Sequence, residues 1–244
     1  MMEIPFNKNY SKWFVTDVIK AIEKYEMIPE GSNISVALSG GKDSITLLYI
    51  LKYLQKYSHL SFHLSAIHIK TFSDYDSSVL SNYCESLEVP YFEDRLDTGG
   101  RQMKKSVCYM CARLKRGAMS RMLAEKGIDR AAFGHHATDV AETFLMNIFE
   151  NKKSGSFSPV VGVPGSKLKI IRPMIYLEES LITKLHKSLN LPLLDQSCDY
   201  GECNVRKDYK SLIGLMEDKL GKKNLALRIT ASLENVDQTN LWKQ

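Results

Sequence analysis

The 244-residue sequence predicts an α/β fold built on a mostly parallel, doubly wound sheet. Three observations carry that prediction. Short apolar, β-branched runs alternate with stretches of helical period along most of the chain, which requires crossover connections between parallel strands. Gly40 and Gly41 separate the first such strand from its helix, where a sharp turn is needed. With 44% hydrophobic residues, the chain can bury one large core, alone or with a small appendage.

The elements follow in order. Residues 10–29 repeat apolar positions at helical spacing as far as Pro29 and predict a leading amphipathic helix packed on the sheet. "NISVALS" reads as a buried strand, and "DSITLLYILKYLQKY" resumes with helical period. The pattern recurs with "SFHLSAIHI" as strand and "SDYDSSVLSNYCESL" as helix, then "PYFEDRL" as strand and "CARLKRGAMSRMLAEKG" as helix. "RAAFG" and "TDVAETFLMNIFE" form the next pair. Residues 151–166, rich in Gly, Pro and Ser, predict a surface loop or flap. "LKIIRPMI" predicts a short strand, "EESLITKLHKSLN" a helix, residues 195–204 a cysteine-bearing loop, and the remainder two helices. This divides the chain into a helical lead-in (1–30), an α/β domain (31–176) and a C-terminal helical segment (177–244).

A formal net charge of +5 permits an anionic partner such as RNA without requiring one. "MMEIPFNKNYSKWF" has no signal-type apolar region, and no uncharged apolar run reaches the roughly 18 residues of a membrane helix. The expectation is a soluble, cytoplasmic protein with no membrane partner. Five cysteines occur, Cys84, Cys108, Cys111, Cys198 and Cys203. In a reducing cytosol, a CxxC pair with further cysteines downstream points to metal binding or redox chemistry rather than a disulfide framework.

"SVALSGGKDS" places its loop beyond the carboxyl end of a strand, against a helix N-terminus with free N–H groups. Glycines let the backbone approach an anion, Ser39 and Ser44 add hydroxyls, and Lys42 adds a point charge, so phosphate fits. The string is neither a Walker A loop nor a GxGxxG fingerprint. An ordinary turn, with Ser44 as helix cap, is the plain alternative.

Cys108 and Cys111 start a helix, where the dipole favours thiolate. By themselves they could be half a zinc site, a redox pair or chance. Cys198 and Cys203 could complete a four-thiolate zinc site, or one could complete a three-cysteine iron-sulfur site with an open iron. Cys84 reads as a small core residue. Arg113, Lys115 and Arg116 form a basic cluster whose plain reading is a solvated face. His135 and His136 are adjacent and point in different directions, which makes them a poor zinc pair.

SGGKDS after a first apolar strand resembles the signature of the PP-loop ATP pyrophosphatase superfamily. The ordered series continuing with CxxC and "ARLKRG", "FGHHATD", "NIF", "IIRPMIY" and a cysteine loop before "NVRK" looks like its tRNA 2-thiocytidine synthetase branch, over roughly residues 7–220. The resemblance implies an ATP-dependent sulfurtransferase acting on tRNA, with a [4Fe-4S] cluster on three cysteines. Ser39, Gly40, Gly41, Lys42, Asp43 and Ser44 then hold ATP phosphates, with Asp43 ordering the loop or helping to bind Mg²⁺. Ala66 and His68 stand where adenine is held, and Gly134 and His135 belong to the nucleotide site. Lys115 would stabilise developing charge, and Asp139 would act as base or Mg²⁺ ligand. Arg172 resembles a residue facing the site. Cys108 and Cys111 match the first two cluster ligands, and Cys198 is preferred over Cys203 as third. Thr138 departs from the family pattern, which has an acid there. The implied sulfur donor is a cysteine desulfurase or inorganic sulfide. A homodimer is compatible with the sequence, which does not decide it.

Overall fold

A computed structural model describes residues 11–70, 75–96, 107–194 and 204–236, with the side chains of residues 11, 107–109 and 204–205 outside that description. A π-helical turn (Ser11–Val15) leads into α1 (Thr16–Lys24). Then come β1 (Ser32–Ala37), α2 (Lys42–Tyr57), β2 (Phe62–Lys70), α3 (Ser78–Ser86) and β3 (Tyr91–Arg95). After them follow α4 (Val107–Glu125), β4 (Arg130–Ala132), α5 (Ala137–Asn151), β5 (Val160–Gly162) and β6 (Lys169–Ile171). The chain continues with α6 (Glu179–Ser188), α7 (Asn204–Leu220) and α8 (Leu225–Glu234).

The six strands form one sheet in the order β3-β2-β1-β4-β6-β5, parallel except at β5. β1 is central, and its Ile34, Ser35 and Val36 are fully buried, as a strand covered on both faces demands. α2 is apolar nearly all round, with Ile45, Leu47, Leu48, Ile50, Leu51 and Leu54 at 0% exposure. It lies in one core with Phe14, Val18 and Ile22 of the leading helix and Ile182 and Leu185 of α6. Each such side chain contributes roughly 1.5–3 kcal/mol over its exposed state. A second core joins Ile67 and Ile69 of β2 to Met119 and Leu123 of α4, and a third joins α5, α7 and α8.

Several elements differ from expectation. The leading helix stops at Lys24, before Pro29, because Glu26 takes a left-handed conformation and the Met27 N–H turns back to Ile22 O at 2.9 Å. The expected flap contains β5, which pairs antiparallel with β6 through a tight turn. There Ser166 N–H bonds Val163 O at 3.1 Å around Pro164 and Gly165, whose φ is 73°. β6 is shorter than expected, since Pro173 cannot donate to a ladder.

Strand order reverses at β1, which neighbours β2 on one side and β4 on the other. The segments leaving β1 and β4 therefore diverge and open a crevice at the carboxyl end of the sheet.

Candidate active site

The loop after β1 fills one wall of that crevice. Gly40 has φ 87° and Gly41 caps α2, leaving the first-turn N–H groups and the positive end of the helix dipole facing the cleft. Ser44 organises the turn: its hydroxyl donates to Gly41 O at 3.0 Å and accepts from Ser39 N–H at 3.1 Å. The Gly41 N–H reaches Ser39 Oγ at 3.3 Å. The opposite wall comes from β4, whose continuation passes Gly134 directly against the loop. A Cβ there would lie 2.9 Å from the Asp43 carbonyl carbon and 3.0 Å from Ser44 N, so only glycine fits.

Between these walls is a cleft of about 560 Å³. Apolar Ile67, Ile69, Met119 and Phe133 line it together with Lys115, Arg116, Arg172 and Arg206, a combination suited to a flat base carrying phosphates. On α4, Ala112, Lys115, Arg116 and Met119 share the stripe that faces it, while Arg113 is exposed. Ala66 is not at the cleft. It is fully buried midway along β2, which runs on to Lys70, so the cleft meets Ile67, His68 and Ile69 instead. His68 ties the strand ends together: Nδ1–H donates to Leu38 O at 2.7 Å, and Nε2 lies 2.8 Å from the Tyr75 hydroxyl. Burial holds its pKa below the usual imidazole value, keeping it neutral.

His135 and His136 do point apart. His135 stacks on Phe133, 5.7 Å between centroids, and its Nδ1 accepts from Arg172 Nε at 3.3 Å, which leaves the proton on Nε2. Burial, reinforced by Arg172, lowers its pKa to about 4. Arg172 also donates to Ser158 O and lies 4.6 Å from the Phe157 ring, so it anchors the segment before β5 as well as lining the cleft.

His136 turns the other way, into a side cavity of about 190 Å³ shared by Asp43, Asp139, Glu142, Glu179, Arg206, Lys207 and Lys210. Asp139 caps α5 by accepting the His136 N–H at 3.0 Å, and its other oxygen sits 3.4 Å from Arg206 Nη1. Asp43 and Asp139 line both spaces and so mark their junction. Lys42 Nζ lies 2.9 Å from Asp43 and 2.8 Å from Glu179. Thr138 does not face the cleft; its hydroxyl accepts the Glu179 N–H at 3.2 Å, and Glu179 carries an acid to the loop from α6. Glu142 is 6% exposed, and burial followed by repulsion from Asp139 raises its pKa to about 7. Sequence reasoning missed Glu142, Glu179, Arg206 and Lys210. Glu142 was legible as an acid one helical turn beyond Asp139, and Arg206 stands in the quoted "NVRK". Glu179 and Lys210 left no local signal.

Cys111 is half-buried on α4 beside the cleft stripe, and Cys84 is a core residue whose thiol burial pushes up to about 12. The Cys108 side chain, Cys198 and Cys203 lie outside the described residues, among which no group of three His, Cys, Asp or Glu could hold a metal ion. Both described flanks of the 195–203 segment nevertheless meet the site. Leu194 N–H donates to Gly40 O at 3.0 Å, and α7, which begins at Asn204, brings Arg206 to Asp139.

A PP-loop domain family matches residues 13–206. The tRNA-cytidine(32) 2-sulfurtransferase of Dichelobacter nodosus is 36% identical over 200 residues, 80% of this chain and 73% of that protein. The enzyme of the same name from Acaryochloris marina is 32% identical over 230 residues, 91% of this chain and 80% of its own. In solved structures, the U34-tRNA thiolase NcsA from Methanococcus maripaludis, with its [4Fe-4S] cluster, superposes with a TM-score of 0.70 at 22% identity, covering 93% of this chain and 81% of that one, and so shares the fold. By its phosphate loop, its cleft and these relationships, the chain belongs to the PP-loop domain family and to the group that the tRNA-cytidine(32) 2-sulfurtransferases represent.

Proposed function

We propose that this protein is a cytoplasmic, ATP-dependent sulfurtransferase that adenylates a cytidine carbonyl in tRNA and replaces its oxygen with sulfur. The observation that carries this reading is convergence: the phosphate loop, the basic stripe of α4 next to Cys111 and the α7 flank of the Cys198 segment meet at one cleft, while the other flank, Leu194, bonds the loop itself.

The loop N–H groups, Ser39, Ser44 and Lys42 hold the ATP phosphates, and the apolar end of the cleft takes adenine against Ile67, His68 and Ile69. Asp43 and Asp139 at the junction fit Mg²⁺, which takes one or two carboxylates and completes its shell with phosphate oxygens and water. The nucleobase oxygen attacks the α-phosphorus, pyrophosphate departs, and Lys115 and Arg116 offset charge on the transferred phosphoryl group. Neutral His135 offers its Nε2–H as a donor in the same cleft. Asp139, held by the His136 N–H, is placed to accept a proton. Sulfur then attacks the activated carbon and AMP leaves. Cys108, Cys111 and Cys198 would hold a [4Fe-4S] cluster that supplies the sulfur, itself replenished by a cysteine desulfurase or inorganic sulfide. The anticodon-loop base must be unstacked to enter.

Nucleoside mass spectrometry of tRNA from a deletion strain tests this. Loss of 2-thiocytidine is expected, restored by the wild-type gene; an unchanged level would reject the substrate assignment. Iron analysis of anaerobically purified protein tests the sulfur carrier, because a chain holding zinc and no iron would remove it.

A further inference from the structure

Two lysines far apart in the chain converge on one carboxylate beside the phosphate loop. Glu179 Oε1 lies 2.8 Å from Lys42 Nζ, and Glu179 Oε2 contacts Lys210 Nζ. The residue's backbone is anchored where the side chain departs, because its N–H is held by Thr138 Oγ1 at 3.2 Å in the first turn of α6. Lys42 spends a second donor on Asp43 at 2.9 Å, which, among the described residues, leaves the third N–H of its ammonium for an incoming oxygen. Lys210 lies one helical turn after Arg206, so α7 reaches the site twice, at Asp139 and at Glu179. Its buried Tyr209 and Ile213 meanwhile pack into the core shared with α5 and α8.

We infer that Glu179 is a positioning residue: its carboxylate aims the Lys42 ammonium at the phosphate site and ties α7 to that lysine through Lys210. This rests on the phosphate loop binding ATP. The half-buried carboxylate is held far below its usual range, to about 2, despite a desolvation cost, because both lysines bond it. It therefore stays charged at every working pH. A fixed ammonium is worth more to a developing phosphoryl charge than one that must reorganise as the reaction proceeds.

The test compares Glu179→Gln, Lys210→Met and the double variant, each checked for folding by circular dichroism. ATP affinity is measured by calorimetry on cluster-free protein, and kcat and KM are measured on the reconstituted enzyme. Removing a negative charge beside the phosphate loop leaves ATP binding equal or tighter in Glu179→Gln, while kcat falls about tenfold because Lys42 is no longer aimed. Lys210→Met lowers kcat by a smaller factor, and the double variant is no worse than Glu179→Gln alone. An unchanged kcat in Glu179→Gln, weaker ATP binding in step with lost folding, or strictly additive effects would each overturn the inference. If wild-type protein does not bind ATP, the functional reading fails with it; if it binds ATP and Glu179→Gln behaves like wild type, only this inference fails.

Discussion

Leu194 braces the phosphate loop at Gly40. Its N–H donates to Gly40 O at 3.0 Å, and a Cβ on Gly40 would lie 2.5 Å from Leu194 Cβ, in a backbone conformation, φ 87°, that L side chains rarely adopt. Gly40→Ala therefore forces the loop and the start of the cysteine segment apart. The expected cost is about 1–3 kcal/mol of stability and a drop of about tenfold or more in ATP affinity. Denaturant titration and calorimetry on the variant measure both.

Glu142 is a carboxyl kept mostly from water, with its pKa raised to about 7. In the unfolded chain it ionises at about 4.3, so its contribution is intact below that pH and is lost as pH rises through 7. Glu142→Gln removes the penalty. Relative to wild type it should be neutral near pH 4 and more stable at pH 8, by about 4 kcal/mol at most. Thermal melts across that range decide it, and an advantage confined to low pH would contradict the assigned burial effect.

Arg172 combines a donor to Ser158 O, a donor to His135 Nδ1 and a face on Phe157. A lysine cannot reproduce that planar fork. Arg172→Lys should lower the melting temperature by several degrees and reduce kcat/KM, since the segment before β5 and the His135 tautomer both lose their anchor. Wild-type values on both measurements would show the fork to be idle.

Cluster ligation separates the downstream cysteines. Cys111→Ala and Cys198→Ala should purify with little iron and without the broad visible absorbance of a [4Fe-4S] centre. Cys203→Ala should keep both. The opposite pattern for the last two would transfer the third ligand to Cys203.

The mostly parallel sheet was readable because its βα units are encoded locally, by β-branched runs, a glycine at the first turn and a resumed helical period; the strand order was not. β5 was not readable, since a three-residue edge strand between polar residues carries too little periodicity, although the Pro164–Gly165 turn marked its hairpin. The loop from Ser39 to Ser44, Gly134, His135, Asp139 and Lys115 were named from motif and resemblance, and the structure places all of them but Gly40, Gly41 and Lys42 on the wall of the main cleft. Ala66 lies away from the cleft although the strand's extent was legible, because which of its residues reach the cleft depends on how α4 and the loop after β1 pack over it.

By itself, the amino-acid order determined that a strand would end in a glycine turn charged for phosphate and that a cysteine pair would open a basic helix, because those properties depend on neighbours a few residues away. Which acids and cations meet that turn was decided only in three dimensions. Glu179 reaches Lys42 from one remote helix, Lys210 reaches Glu179 from another, and Thr138, an apparent loss in the sequence, serves to seat Glu179. Charge pairing of this kind depends on the distance between side chains, and that distance is set by how α5, α6 and α7 pack on the sheet rather than by any run of residues along the chain.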